Sequence, residues 1–302
     1  MEKTIPFQKT IGWNGLSLAI PASWDTIVRD DRHLIFEQEL RPVLELRWEL
    51  PSSNSYGPTQ GERIIAQLQK EAGRTLIPAD PPRSLIGFTP DYHIQCFNPP
   101  SSSTGECALL TCITCGAPIL LKFYSDFYHQ VVTDPKIIGS LTCWHAKGTD
   151  SQWAVHDISF RLPQGFSLDS HSFRFGLSSL SFSTRTSQLT LCRLAPASEH
   201  LKRNSFQELF ASFSKSDPEQ HEIIDEHTLQ YAGVPGIGAR LIGRLGRRKL
   251  FVVARFKHIS QHDRIIGFRL ESSQPIQPDT VQTIQDSYGI IQEEKTDSHI
   301  HP

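Results

Sequence analysis

The sequence predicts an α+β fold built from two tandem units, each an antiparallel β-sheet with two packed helices. Two observations lead to this prediction. Strand-like segments that end at proline recur about 145 residues apart, and in both halves they are followed by an amphipathic helix, then hairpins, then a second short helix. A slowly growing offset between the halves indicates an internal duplication with small loop insertions.

The strands that open each half share one pattern. "GLSLAIPASW" (Gly15–Trp24) and "DISFRLPQGF" (Asp157–Phe166) both alternate in hydrophobicity and place a proline three residues before a bulky aromatic residue. Further on, "LELRWELP" and "LTLCRLAP" are alternating segments that stop at Pro51 and Pro196. Both pairs therefore predict strands at matching positions of the two halves.

Helices are predicted directly after the second of these strands. "GERIIAQLQKEAG" (61–73) carries apolar residues on one helical face and ends at glycine, which suits a C-terminal cap. "SFQELFASFSK" (205–215) begins with Ser205 and Glu208 in the spacing of a capping box. Short terminal helices follow in "TDPKIIGSL" and "QPDTVQTIQDSY", where proline in the first turn is well tolerated.

The polar segment "HAKGTDSQW" (145–153) is the predicted linker between the units. We therefore expect a first unit over residues 1–147 and a second over residues 148–302. The polar sequence from about residue 292 is a predicted tail that belongs to neither sheet.

The opening strand of the first half resembles the PsbP-like fold family, which includes the DcrB-type bacterial proteins. Ile20, Pro21 and Trp24 carry this resemblance, because members of that family begin with a strand that ends in isoleucine-proline and is followed shortly by tryptophan. The resemblance covers each half once and implies the PsbP-like topology. It also implies a non-enzymatic binding or assembly factor.

Composition limits the classes of function. The net charge of −2 excludes a chain that binds nucleic acid through its overall charge, and no run of about 18 apolar residues predicts a membrane span. No apolar export signal follows the N-terminus, and the cysteines are distributed unlike a disulfide framework. We therefore expect reduced thiols and a cytoplasmic location. The six cysteines are Cys96, Cys107, Cys112, Cys115, Cys143 and Cys192.

The segment "TCITCG" contains a C-x-x-C pair followed by glycine, at Cys112, Cys115 and Gly116. Aligned with the second half, it lies at the end of a strand and in the following turn. A structural zinc site would need about four ligands, and Cys143 and His145 in "LTCWHA" are the nearest candidates. The alternatives are free thiols in a β-hairpin or a redox dithiol, although a hairpin tip lacks the helix dipole that activates redox cysteines.

The most basic segment is "RLIGRLGRRKLFVVARFKH", which contains no acidic residue. Alternation on strands places Arg240, Arg244 and Arg248 on one face, and Arg255 and Lys257 on one face of the return strand. This hairpin predicts contact with an anionic partner, which is an acidic protein surface, a lipid head group or nucleic acid, and an acidic protein surface is the favoured partner. Nucleic acid is least favoured because interleaved aromatic residues are sparse. The alternative is a solvated face that discourages edge pairing.

No local motif predicts an enzyme. "GVPGIGARLIGRLG" lacks the third glycine of a dinucleotide loop and the lysine of a phosphate loop. The leading hypothesis is a non-catalytic binding or accessory protein that uses the basic hairpin of the second unit and needs no cofactor. The alternatives are an enzyme with a dispersed site between the units, or a scaffold held by structural zinc.

Overall fold

The computed structural model describes residues 8–50, 60–73, 75–87, 90–98, 106–124, 135–143, 150–235 and 250–291. The chain divides into two units. The first unit comprises the described residues up to Asp157 together with Ile291, and the second comprises Ile158–Ile290. The linker boundary predicted at 147/148 and the tail predicted from 292 lie outside the described residues.

The first unit contains eleven described strands and three described helices. Its helices are α1 (Gln60–Ala72), α2 (Arg83–Ile86) and α3 (Pro135–Gly139). Its strands are β1 (Gln8–Trp13), β2 (Leu16–Pro21), β3 (Asp25–Asp30), β4 (His33–Gln38), β5 (Arg41–Trp48), β6 (Ile77–Ala79), β7 (Tyr92–Asn98), β8 (Cys107–Cys112), β9 (Pro118–Phe123), β10 (Thr142–Cys143) and β11 (Ser151–Val155).

The second unit contains nine described strands and three described α-helices. Its helices are α4 (Ala197–Leu201), α5 (Phe206–Ser214) and α6 (Pro278–Ser287). Its strands are β12 (Ile158–Leu162), β13 (Ser167–Arg174), β14 (Leu177–Ser183), β15 (Ser187–Leu194), β16 (Glu222–Asp225), β17 (Thr228–Gly233), β18 (Phe251–Ile259), β19 (Arg264–Ser272) and β20 (Gly289–Ile290).

Each unit has a seven-stranded antiparallel sheet, and the two sheets have the same strand order. The order is β3-β4-β5-β9-β8-β7-β6 in the first unit and β13-β14-β15-β19-β18-β17-β16 in the second. The registers also correspond, because Glu45 pairs with Lys122 on β5 and β9, and Thr190 pairs with Arg269 on β15 and β19. Positions in one sheet can therefore be compared directly with positions in the other.

Shorter strand groups accompany each large sheet. In the first unit the neighbours run β10-β2-β1-β11, and in the second unit β12 pairs with β20. The buried aromatic side chains of the first unit include Trp13, Trp24 and Trp48. In the second unit the rings of Phe160 and Phe182 meet edge to face, with centroids 5.7 Å apart.

The longer helices pack through the apolar faces that the sequence predicts. On α1, Leu68 packs in one cluster with Leu120 of the first sheet. On α5, Phe210 lies with its ring centroid 5.3 Å from that of Phe256. The capping box predicted at the start of α5 is confirmed, since the Ser205 side chain accepts from the Glu208 N–H and the Glu208 side chain accepts from the Ser205 N–H.

The predicted α+β fold with two helices packed on each sheet is wrong, because the described chain is mostly antiparallel β-structure. Several strands carry no alternating pattern: β16 is exposed at every position and β13 is exposed or half-buried throughout. These strands form because their backbone groups pair with β17 and β14. Meanwhile α2, α3 and α4 are only four or five residues long.

Candidate metal centre

The C-x-x-C pair lies where β8 turns into β9 in the first unit. Cys112 is the last residue of β8, and its N–H donates to the Ala117 carbonyl at 3.0 Å. The Gly116 N–H donates to the Cys112 carbonyl at 2.8 Å, and Gly116 has a φ of +73° that favours glycine. The predicted places of Cys112 at the strand end and Cys115 in the turn are therefore confirmed.

Backbone N–H groups in this turn are directed at both sulfurs. Burial raises the pKa of the Cys112 thiol, but N–H groups of Cys115 and Thr114 lower it, and the net pKa lies below its ordinary value. For Cys115 burial and the neighbouring Cys112 outweigh the N–H of Ala117, so the net pKa is raised. Such N–H donors stabilise thiolates, which are the form of cysteine that binds metal.

The turn itself does not need cysteines. The matching turn of the second unit links β18 to β19 and reads "SQHD" over residues 260–263. Its last residue, Asp263, has a φ of +52°, so this residue adopts the left-handed backbone conformation that Gly116 also adopts. The thiols of Cys112 and Cys115 are thus additional to what the hairpin requires.

Cys143 comes from a different part of the first unit. It belongs to β10, where it is paired with Leu16 of β2. The helix α3 precedes β10 and is anchored by the buried side chains of Ile137 and Ile138. Strand pairing and helix burial together place the Cys143 side chain next to the β8–β9 turn.

The three cysteines meet at one point. The sulfur atoms of Cys112, Cys115 and Cys143 all lie within 4.8 Å of one another. Cys112 is buried, and the other two are half-buried. Sulfurs around a tetrahedral Zn²⁺ lie about 3.8 Å apart, because each Zn–S bond is about 2.3 Å long. The cluster therefore matches a soft-metal site within a small adjustment of the side chains.

Tyr92 supports the cluster from β7, and sequence reasoning missed it. Its hydroxyl donates to the Leu141 carbonyl at 3.2 Å and lies 3.7 Å from the Cys143 sulfur. Tyr92 is also the strand partner of Cys112. It is thus placed to orient Cys143, and the sequence alone carries no signal for this role.

Burial raises the pKa of the Cys143 thiol, and the remaining cysteines share that effect but lie outside the cluster. Cys96 and Cys107 are buried, and burial raises the pKa of each thiol to about 11. Burial also raises the pKa of Cys192 in the second unit. Such thiols stay protonated at neutral pH and behave as small apolar side chains. His145, the fourth predicted metal ligand, lies outside the described residues.

The basic hairpin is only partly described. Arg240, Arg244 and Arg248 lie outside the described residues, whereas Arg255 and Lys257 lie at alternate positions of β18. Lys257 is exposed and Arg255 is half-buried. The pKa of the Asp225 carboxyl is lowered, chiefly by the hydrogen bond from the His227 N–H. The nearby Arg255 guanidinium contributes to the same shift.

Comparison with known proteins assigns no family to the chain. No family model matches the chain, and no curated protein matches it. Among solved structures, the complex of MucA and MucB from Pseudomonas aeruginosa is similar at 9% identity, over 92% of this chain and 83% of that chain, with a TM-score of 0.23. A likeness at that TM-score carries no argument about fold or function. The PsbP-like resemblance stays a prediction, and no described helix is long and apolar enough to cross a membrane.

Proposed function

We propose that this protein is a non-catalytic accessory protein whose first unit is held together by a structural Zn²⁺ bound to Cys112, Cys115 and Cys143. The observation that carries the proposal is the convergence of these three sulfurs from two separate segments. Thiolates are soft ligands that select Zn²⁺ among the common divalent ions of a cell. The bound ion would tie β10 to the β8–β9 turn.

The arrangement favours a structural over a catalytic role. In metal-dependent hydrolases a general base or an electrostatic stabiliser stands beside the metal. Among the described residues three cysteines meet in the cluster, and burial raises the pKa of the Tyr92 hydroxyl beside them, so that hydroxyl is a poor general base at neutral pH. A thiolate-rich ion of this kind is a weak Lewis acid, because the sulfurs donate much of their charge to it. Its main contribution would be to folding stability.

The proposal is tested by metal content. The protein is purified without chelator or added metal, and zinc is measured per chain by mass spectrometry for wild type and for Cys112→Ser and Cys143→Ser. We expect about one zinc per wild-type chain and a large loss in both variants. Cys96→Ala is the matched control, since it removes a buried thiol outside the cluster and should keep the metal.

The same variants are then titrated with Co²⁺, whose thiolate charge-transfer absorption reports sulfur ligands directly. Wild type and Cys96→Ala should develop this absorption, and the two serine variants should show less of it. A wild-type protein that carries no zinc and develops no such absorption would show that the cysteines are free thiols.

A second candidate function is the binding of an acidic protein surface through Arg255 and Lys257. The observation in its favour is a difference between matching strands. The positions of β8 that correspond to Arg255 and Lys257 hold Ala108 and Leu110, both buried. In the second unit this face of β18 instead presents cations.

Charge reversal tests this second function. Arg255→Glu combined with Lys257→Glu should abolish capture of a partner that wild type captures at low salt, because the contact depends on charge. Arg185→Glu is the control, as Arg185 lies in an exposed turn of the same unit. Equal capture by all three proteins would locate the interface elsewhere.

A further inference from the structure

We propose that the first unit also binds a small zwitterion of the α-amino-acid class, in a cavity that is separate from the cysteine cluster. The cavity has a volume of about 620 Å³ and lies between α1, the β3–β4 turn and the end of β5. This volume is in the range of small-molecule sites. The proposal does not depend on metal binding.

A buried ionic cluster lies beneath the cavity. The Glu45 side chain is only 4% exposed. Its Oε1 accepts from Arg47 Nε at 2.7 Å and lies 2.9 Å from His33 Nε2, while its Oε2 accepts from the Tyr124 hydroxyl at 3.0 Å and lies 3.4 Å from Lys122 Nζ. His33 and Arg47 also line the cavity. The cluster therefore fixes the side chains on the cavity floor.

The fold does not require this cluster. The matching positions of the second sheet hold Thr190 in place of Glu45 and Cys192 in place of Arg47. Replacing buried ion pairs by less polar groups is often neutral or stabilising. The charges in the first unit thus have no evident purpose in stability alone, and a role at the adjoining cavity accounts for them.

His33 has one ring nitrogen that is available to a ligand. Glu45 is ionised, since hydrogen bonds and nearby cations outweigh burial and hold the pKa of that carboxyl well below its usual range. An ionised carboxylate only accepts, so Nε2 of His33 must carry the proton. The other ring nitrogen, Nδ1, makes no hydrogen bond to another described residue. It is available to a polar group of a ligand.

The wall formed by α1 presents hydrogen-bond donors. Gln60, Arg63 and Gln67 lie at spacings of three and four residues, so they share one face of the helix. Arg63 forms no ion pair with any residue in the part of the chain that the structure describes. Glu71 lies on the same wall, but its carboxylate is already paired with Arg47 at 2.8 Å and accepts from Gln67 Nε2 at 3.0 Å. The Arg63 guanidinium therefore remains as the cation of this wall, and its N–H groups match a carboxylate.

The opposite wall is acidic. Asp30, Asp31 and Glu49 line it together with Arg32, whose guanidinium is 3.4 Å from Glu49. The wall therefore has two more negative charges than positive ones. It favours an ammonium group, while the helix wall favours a carboxylate. A ligand with both charges on a small frame satisfies both walls.

Isothermal titration calorimetry tests the proposal with the twenty standard amino acids offered singly to the 302-residue chain. For the amino acid that binds most tightly, two analogues are titrated as well. One is the amine that lacks the carboxylate, and the other is the acid that lacks the amino group. Each should bind at least about tenfold more weakly, since each loses one charge-assisted contact. Equal affinity for all three compounds would overturn the zwitterion assignment.

Variants locate the site. Arg63→Gln and Asp30→Asn should each weaken the amino acid about tenfold, and Arg63→Gln should leave the affinity of the amine unchanged. Lys70→Gln is the matched control, because Lys70 is exposed on α1 and does not line the cavity. Tryptophan fluorescence establishes that each variant is folded. The proposal fails if no amino acid binds wild type at millimolar concentration, or if both variants bind as wild type does.

Discussion

The clearest energetic prediction concerns Glu45→Gln, which keeps the shape of the side chain but removes its charge. The carboxylate is contacted by two cations, Arg47 and Lys122. It is also contacted by Nε2 of His33 and by the Tyr124 hydroxyl. Breaking a buried ion pair by removing one partner costs about 3–5 kcal/mol. Arg47 keeps its 2.8 Å contact with Glu71, and both cations are partly exposed, so we expect the lower end, about 3 kcal/mol.

Tryptophan fluorescence during urea denaturation measures this change in the first unit selectively. All tryptophans of the sequence precede residue 158, where the second unit begins: Trp13, Trp24, Trp48, Trp144 and Trp153. The free energy of unfolding from this signal should fall by about 3 kcal/mol in Glu45→Gln. The signal therefore reports the unit in which the substitution lies.

Glu49→Gln is the matched control for this experiment. The Glu49 carboxylate pairs with Arg32 at 3.4 Å, and its side chain is 46% exposed. Exposed pairs contribute about 0–1 kcal/mol because water and salt screen them. If Glu45→Gln costs no more than Glu49→Gln, the reasoning that places a strongly stabilised carboxylate beneath the cavity is wrong.

Three further predictions follow from named contacts. The stability difference between wild type and Glu45→Gln should be fully present above the unfolded carboxyl pKa of about 4.3 and should shrink as pH falls below that value, because the folded pKa of Glu45 is depressed. Urea denaturation at a series of pH values measures this difference, and a difference that grows on acidification would contradict the prediction. Gly267→Ala should destabilise the second unit by about 1–3 kcal/mol, since a Cβ at this position would overlap the buried Phe256 ring. Thermal unfolding followed by circular dichroism measures this, and an unchanged unfolding curve would refute the close packing of Phe256 on Gly267. Tyr92→Phe should weaken zinc affinity about tenfold, because the Cys143 side chain loses the hydroxyl that orients it. Competition with a chelator measures the affinity, and equal affinity in wild type and variant would show that Tyr92 does not support the metal site.

The cysteine cluster could be predicted in part from the sequence. Cys112 and Cys115 form a recognisable pair with Gly116, and the second half has the same hairpin without thiols. Cys143 could be predicted as a ligand because it closely follows the terminal helix of the first half. Tyr92 could not be predicted, because its role depends on strand register between β7 and β8.

The ionic cluster was missed for a different reason. In "LELRWELP", Glu45 and Arg47 occupy the polar positions of an alternating strand, which normally face solvent. Here Glu45 is buried, and the helix α1 contributes Glu71 to the same network. The one available signal was the uncharged pair Thr190 and Cys192 at the matching positions of the second half.

The fold class was wrong because local patterns identify helices better than polar strands. The periodicity over 61–73 and 205–215 indicates helices that the structure contains. In contrast, β13 and β16 depend on neighbouring strands for their hydrogen bonds and carry little pattern of their own. Counting helices from sequence therefore gave them too much weight in the architecture.

X-ray absorption at the zinc edge is the most direct measurement of the central claim. The purified protein, loaded with one equivalent of Zn²⁺, should give a first coordination shell with three sulfurs at about 2.3 Å. The Cys143→Ser variant should lose one of these sulfurs, while Cys96→Ala should retain all three. A shell of nitrogen and oxygen alone, or one that is identical in all three proteins, would contradict a metal centre at Cys112, Cys115 and Cys143.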